Sequence, residues 1–240
     1  MMTPPTTPSR VALITGASQG LGLACARALA AAGWRLVIDA RHADALDAVA
    51  RGFDPSRVTA IAGDVAEPGH RARLAAAVDA AGRLDLLVHN ASELGPSPLP
   101  ALADYPLDEF EHVHRVNVLA PLALTQLLVE PLRATHGALV AVSSDAAVEA
   151  YPGWGGYGSA KAALDQLVAV LAAENPDLRI YSVDPGDMNT AMQQRAFPGE
   201  DVSDRPAPET VVPALLRLAR QELPSGRYQA AALLAATVGA

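Results

Sequence analysis

Cysteine is nearly absent from this chain. A single residue, Cys25, rules out an internal disulfide framework, so the fold must hold by packing alone, as suits a reducing cytosol. Aromatics are also scarce, at 4%, which leaves a core of many small aliphatic contacts. No apolar run approaches the roughly 20 residues that span a bilayer. The nearest candidate, residues 230–240, is about half that length and reads as a terminal buried strand and loop. The first nine residues, Met-Met-Thr-Pro-Pro-Thr-Thr-Pro-Ser, lack the apolar stretch of a signal peptide and read as a flexible tail, so a cytoplasmic location with no membrane partner is expected. Excess positive charge is missing too: 26 acids against 18 bases give −8, which repels a phosphate backbone and argues against a nucleic-acid partner.

The scarcest polar residue is lysine. Of the 18 basic residues 17 are arginine, and the only lysine is Lys161, four positions after Tyr157. In a sequence that so prefers arginine, a retained lysine marks a place where a compact, tunable ammonium is needed.

What is present is a regular alternation. Residues 11–15, 35–38, 58–61, 84–88, 138–142 and 179–183 are short β-rich runs, and helical patterns cover 68–81, 107–133, 157–174 and 209–221, with an alanine-rich helix closing at Gly33. Strands alternating with helices of this length indicate right-handed crossovers and a parallel sheet covered on both faces. The expected fold is therefore α/β, a three-layer doubly wound parallel sheet in one domain over residues 10–240. Residues 187–209 alone lack periodicity and read as a lid over a ligand site.

The first strand runs into Gly16-Ala17-Ser18-Gln19-Gly20-Leu21-Gly22 and then a helix. Glycines there let a backbone approach a ligand while the helix N-terminus offers N–H groups to phosphate. The same residues satisfy G-x-S-x-G, the nucleophile elbow of a serine hydrolase with Ser18 as nucleophile. That alternative needs a histidine late in the chain, yet all six (His42, His70, His89, His112, His114 and His136) precede residue 137. His112 and His114, at i and i+2 on a helix, face different ways and give no metal site; none is expected. Further on, Tyr157 and Lys161 share one helical face. A cation beside a phenol lowers its pKa and equips it as a general acid or base.

Together these residues resemble a short-chain dehydrogenase/reductase of the compact single-domain type. The resemblance rests on Thr15-Gly16-x-x-x-Gly20-x-Gly22, Asp64, Asn90-Ala91, Asn117, Ser144, Tyr157-x-x-x-Lys161 and Pro185-Gly186, in that order, and runs from Val11 to about Tyr228. It implies a Rossmann fold and a catalytic set. Tyr157 would exchange a proton with the carbonyl or alcohol oxygen, Ser144 would hydrogen-bond that oxygen, Lys161 would depress the Tyr157 pKa and hold the nicotinamide ribose, and Asn117 would anchor a proton relay to Lys161. Gly16, Ser18, Gln19, Gly20, Leu21, Gly22, Asp64, Val65, Asn90, Ala91, Pro185, Gly186, Met188 and Thr190 would border the dinucleotide beside Tyr157 and Lys161. Asp39 and Arg41 compete to read its adenosine ribose; alignment with the family pattern puts Ala40 at the acid position and Arg41 next, with His42 assisting, so NADP(H) is favoured over NAD(H). The implied activity is hydride transfer between that cofactor and a small to medium carbonyl or alcohol. A non-catalytic dinucleotide-binding regulator is the other alternative. Two departures stand out: Ser92 where the family usually has glycine, and Asp145 directly after Ser144. Helices 107–133 and 157–174, with Leu119, Leu122, Leu164 and Leu167 on expected outer faces, imply a homodimer or homotetramer.

Overall fold

The computed structural model describes residues 9–220 and 223–236; residues 1–8 of the expected nine-residue tail, Gln221 at the end of the last expected helix, and residues 237–240 lie outside them. In chain order the elements are β1 (Val11–Ile14), α1 (Gly20–Ala31), β2 (Arg35–Ala40), α2 (Ala43–Ala50), β3 (Val58–Ala62), α3 (Pro68–Ala81), β4 (Leu86–His89), α4 (Leu107–His114), α5 (Ala120–Ala134), β5 (Ala138–Val142), α6 (Gly155–Glu174), β6 (Arg179–Asp184), α7 (Ala191–Ala196), α8 (Val212–Arg220), β7 (Gly226–Gln229) and α9 (Ala230–Ala235). All strand pairs are parallel, in the order β3-β2-β1-β4-β5-β6-β7. This is the expected doubly wound sheet, and its order reverses between β1 and β4.

Period-2 alternation sends successive side chains to opposite faces, and both faces are buried, as parallel sheets require. Ala12, Ile14, Leu36, Ile38, Leu86, Val88 and Val140 pack with Leu21, Cys25 and Leu29 of α1 and Leu215 and Leu218 of α8. Val11, Leu13, Val37, Leu87, Leu139 and Ile180 pack with Leu74 and Val78 of α3, Leu124, Leu128 and Leu132 of α5, and Leu164 and Val168 of α6. Cys25 is among these buried residues, and burial pushes its thiol up to about 12, so it packs as a small hydrophobe.

Several expectations change. The helix expected over 107–133 is two helices joined by a π-helical stretch, Arg115–Leu119; Pro121 lacks the N–H that would bond the Asn117 carbonyl in a continuous α-helix. Residues 230–235 form α9 and not a strand, and the last strand is the half-buried β7 before it. Leu164 does not face outward: it is 3% exposed, against the sheet, and the large apolar residues that α5, α6 and the π stretch leave exposed are Leu119, Leu127 and Val170. The irregular segment contains α7, whose N-cap Thr190 accepts a hydrogen bond from Gln193 N at 3.2 Å. Among the described residues no helix is long and apolar enough to cross a membrane.

Candidate active site

A cleft opens along the carboxyl edge of the sheet, above the point where the strand order reverses. It is lined by Gly16, Ser18, Gln19, Gly20 and Leu21 from the first turn, Arg41 and His42 after β2, Asp64 and Val65 after β3, and Asn90 and Ala91 after β4. Ser144, Tyr157, Lys161, Pro185, Gly186, Met188 and Thr190 complete it. Of the residues expected to act in catalysis or to border the dinucleotide, only Gly22 and Asn117 are not among those lining it. Gly22 instead lets the turn close: a Cβ there would strike the Asn90 side chain and the Gly16 carbonyl. Gly16 has φ +68°, and a Cβ would sit 2.8 Å from Ala91 Cα, so the turn tolerates neither a side chain nor another backbone conformation. Asn90 ties the two loops together, donating from Nδ2 to the carbonyls of Thr15 and Gly16 at 2.9 and 3.0 Å.

Asp39, weighed above as a ribose ligand, borders the cleft but has both carboxylate oxygens engaged within the protein. Its Oδ1 accepts from Gly16 N at 2.7 Å and its Oδ2 lies 2.9 Å from His70 Nε2, with both side chains 1% exposed. Arg73 Nη2, which can only donate, is 3.1 Å from His70 Nδ1. The Nε2 proton is thereby assigned to the Asp39 side. Burial raises the Asp39 pKa, against hydrogen bonds from His70 and Gly16 that lower it. Arg41 is left as the charged side chain at the end of β2, and it reaches Glu93, its Nη1 2.9 Å from Oε2.

At the other end of the cleft Tyr157 and Lys161 sit on α6 as the spacing requires, Lys161 Nζ lying 5.5 Å from the phenol ring centroid. Lys161 is 2% exposed and donates to the Val142 carbonyl at 2.8 Å; burial lowers its pKa to about 8. Tyr157 departs from expectation. Burial pushes its phenol up to about 12, hydrogen bonding to Ser92 and Ser144 working downward and the Asp145 and Asp184 charges upward. The structure also does not join Asn117 to Lys161. The Asn117 Oδ1 accepts from Ser92 Oγ at 3.0 Å and Glu93 N at 2.9 Å, and its Nδ2 donates to the Glu93 carbonyl at 2.7 Å. Ser92 thus fills the space of the family's glycine with a hydroxyl between Asn117 and Tyr157. Asp145 is exposed but not idle: Ser144 Oγ donates to its Oδ1 and Tyr151 OH to its Oδ2, each at 3.0 Å. Ser143 also borders the cleft, with its Oγ buried and unpartnered.

Trp154, Met192 and Phe197 pack around Tyr157, with Leu94 and Ala196. Trp154 meets Tyr157 edge to face at 5.7 Å, and Met192 and Ala196 bring α7 to the phenol end of the cleft. Among the described residues no group of three or more His, Cys, Asp or Glu could hold a metal. The sequence did not single out His70 or Arg195.

A doubly wound sheet whose switch-point cleft joins a glycine turn to a tyrosine–lysine pair defines the class of nicotinamide-dinucleotide oxidoreductases. Comparison narrows this: residues 10–201 match the family model described as short chain dehydrogenase, and the chain belongs to that family. It is 33% identical over 204 residues to 2-(R)-hydroxypropyl-CoM dehydrogenase of Xanthobacter autotrophicus, covering 82% of each chain. It is likewise 33% identical over 187 residues to an uncharacterized oxidoreductase of Schizosaccharomyces pombe, covering 78% of this chain and 74% of the other. Among solved structures, a short chain dehydrogenase from Shigella flexneri complexed with NADP superposes with TM-score 0.84 at 28% identity, over 92% of this chain and 97% of that one. An alcohol dehydrogenase from Thermococcus sibiricus complexed with 5-hydroxy-NADP gives 0.82 at 28%, over 92% and 95%. Membership of this family of oxidoreductases sets aside both the hydrolase reading of Ser18 and the non-catalytic reading.

Proposed function

We propose that the protein transfers hydride between NADP(H) and a small to medium carbonyl or alcohol substrate, with Tyr157 exchanging the proton. The observation that carries this reading is the Tyr157 phenol, 8% exposed at the end of the cleft that Ser92 and Ser144 also line, with the buried Lys161 on the same helical face.

The residues fit a dinucleotide. Gly20, at φ +54°, faces Thr190 so that a Cβ there would lie 3.5 Å from Thr190 Cγ2 and narrow the gap a pyrophosphate needs. Ser143, which lines the same cleft, offers a buried, unpaired hydroxyl. Ser18, Gln19 and Leu21 would hold the phosphates with the α1 N-terminus; Asp64, Val65, Asn90 and Ala91 would flank the adenosine; Pro185, Gly186, Met188 and Thr190 would hold the nicotinamide end. With both Asp39 oxygens spent on Gly16 and His70, Arg41 and His42 favour a 2′-phosphate over a bare ribose. The NADP and 5-hydroxy-NADP complexes of the two structural relatives support this choice.

When bound, the nicotinamide supplies or accepts the hydride. Tyr157, neutral with its phenol near 12, donates a proton to the substrate oxygen in reduction and must be deprotonated to act in oxidation. Ser144 orients that oxygen once its hydroxyl turns from Asp145. Lys161, cationic below about pH 8, stabilises the phenolate left after donation. Trp154, Met192 and Phe197 exclude water, and residues 187–209 act as the lid that carries two of them. Tyr157→Phe removes only the reacting oxygen. Assayed by NADPH absorbance with a panel of aldehydes, ketones and diketones, it should lose about 10²- to 10⁴-fold in turnover and keep cofactor affinity; turnover near that of the parent would defeat the assignment.

A further inference from the structure

One carboxylate connects the two ends of this cleft. Glu93 lies four residues beyond β4, its side chain 8% exposed, and it binds arginines from opposite sides. Its Oε2 takes Arg41 Nη1 at 2.9 Å, while its Oε1 takes Arg195 Nη2 at 3.2 Å and the N–H groups of Leu94 and Gly95 at 3.1 and 3.3 Å. Because β1 lies between β2 and β4, the Arg41–Glu93 pair spans two strand spacings, roughly 10 Å, across the crevice above the glycine turn. Arg195, on α7, also donates to the Gly95 carbonyl at 2.9 Å, and its own carbonyl accepts from Ser97 Oγ at 2.6 Å. The Glu93 backbone is pinned by Asn117 through both its N–H and its carbonyl. Only the side chain is free to exchange partners.

We propose that Glu93 sets the nucleotide preference: it holds Arg41 in competition with the 2′-phosphate of NADP(H), and Arg195 tunes that competition by sharing the carboxylate. This rests on the reading of Arg41 given above. A phosphate offers nearly two negative charges and several acceptor oxygens to a guanidinium, against one carboxylate oxygen here, so the exchange favours the phosphate without being free. Glu93 then keeps Arg195 and two backbone donors, so no buried charge is stranded. The released carboxylate strengthens its hold on Arg195, which ties occupation of the adenosine end to the seating of α7 over Tyr157.

Two substitutions should act in opposite directions. Glu93→Gln removes the competing charge and should raise the affinity ratio for NADP⁺ over NAD⁺ about 2- to 5-fold, the range for a partly exposed ion pair. Arg195→Met leaves all of the Glu93 charge to Arg41 and should lower that ratio by a similar factor. A merely structural role would weaken both nucleotides alike. Calorimetric titration of the full-length protein with NADP⁺ and with NAD⁺ reads both ratios, with Arg41→Ala alongside. If Arg41→Ala collapses the ratio while Glu93→Gln and Arg195→Met leave it unchanged or move it the same way, the role of Glu93 is overturned and the Arg41 reading stands. If Arg41→Ala leaves the ratio unchanged, both fall. Arg195, 47% exposed in its side chain, can be replaced without disturbing the interior; should Glu93→Gln fold poorly, an unchanged ratio in Arg195→Met alone overturns the proposal.

Discussion

Replacing His70 by alanine tests whether the glycine turn is held from beneath. His70 and Asp39 are each 1% exposed in their side chains, and the Asp39 carboxylate spends one oxygen on His70 and the other on Gly16 N. Removing the imidazole leaves one oxygen of a buried carboxylate without a donor. Stranding such a group costs about 3 kcal/mol, at the upper end for hydrogen bonds to charged groups and the lower end for broken buried pairs. At about 2.1 cal/mol/K per residue, a chain of this length unfolds with an entropy near 0.5 kcal/mol/K, so the melting temperature should drop by about 6 °C. The pH dependence has a definite sign. Asp39 already has a raised folded pKa, so its penalty is present above that pKa and relieved as pH falls; loss of the His70 hydrogen bond raises it further, and the deficit should shrink on going from pH 8 to pH 5. His70→Gln, which keeps a donor near Asp39, should recover part of the loss. Calorimetry decides: a shift under 2 °C at pH 8, or a deficit that grows in acid, would refute the account.

With the phenol near 12 and Lys161 losing its charge above about pH 8, carbonyl reduction should stay flat from pH 6 to 7 and decline above about pH 8, while alcohol oxidation should climb with pH because Tyr157 must first lose its proton; matching profiles in the two directions would contradict this. Asp145→Asn removes a charge that raises the Tyr157 pKa and loosens the bond holding the Ser144 hydroxyl, so the alkaline limb of the oxidation profile should move to lower pH, and an unmoved limb would show Asp145 to be a solvent-facing charge. Leu119, Leu127 and Val170, exposed to 57, 49 and 42%, should lie between copies in a dimer or tetramer; sedimentation should show an oligomer that Leu127→Asp weakens. Cofactor and substrate together should protect residues 187–209 from amide exchange, and Met192→Ala or Phe197→Ala should change substrate preference with little effect on NADPH affinity.

The sheet was legible because a buried parallel strand is a short apolar run and each is followed by a helical period, a signal that survives without any tertiary information. Strand β7, Gly226–Gln229, was missed for the converse reason: at the sheet edge and only half buried, Gly-Arg-Tyr-Gln carries no such run. The outward assignment of Leu164 failed because α6 turns that residue onto the sheet beside Val168, a choice of face that apolar spacing on an alanine-rich helix does not make. The cleft residues were legible through their motif order. Asp39 was weighed as a ribose ligand and set behind Arg41, and a further signal pointed the same way: period-2 alternation puts it on the same face of β2 as Val37, toward α3. A buried acid there requires a donor, and His70 lies on α3. For Glu93 no local pattern exists, since its two arginines lie 52 positions before it and 102 after.

These buried acids bear on how a chain of net charge −8 can accept an anionic cofactor. Beyond about 8 Å at physiological salt, exposed charges are largely screened, so the ions at the cleft decide the matter. There four of the acids on or behind the wall have partners. Asp39 faces His70; Glu93 faces Arg41 and Arg195; Asp184 lies 3.5 Å from Arg227, and Asp145 accepts from Ser144 and Tyr151. The glycine turn and the α1 N-terminus then add uncompensated N–H dipoles where phosphate would lie. Local pairing thus converts an acidic protein into an anion site without altering its overall charge, and it predicts that NADP(H) affinity should depend more steeply on the charge state of Glu93 and Arg41 than on surface acids placed more than a Debye length away. Neutralising exposed Glu130 and Glu174, on helices packed on the sheet faces and outside the cleft lining, should leave the NADP⁺ dissociation constant within about 2-fold; a larger change would show that the long-range field governs binding.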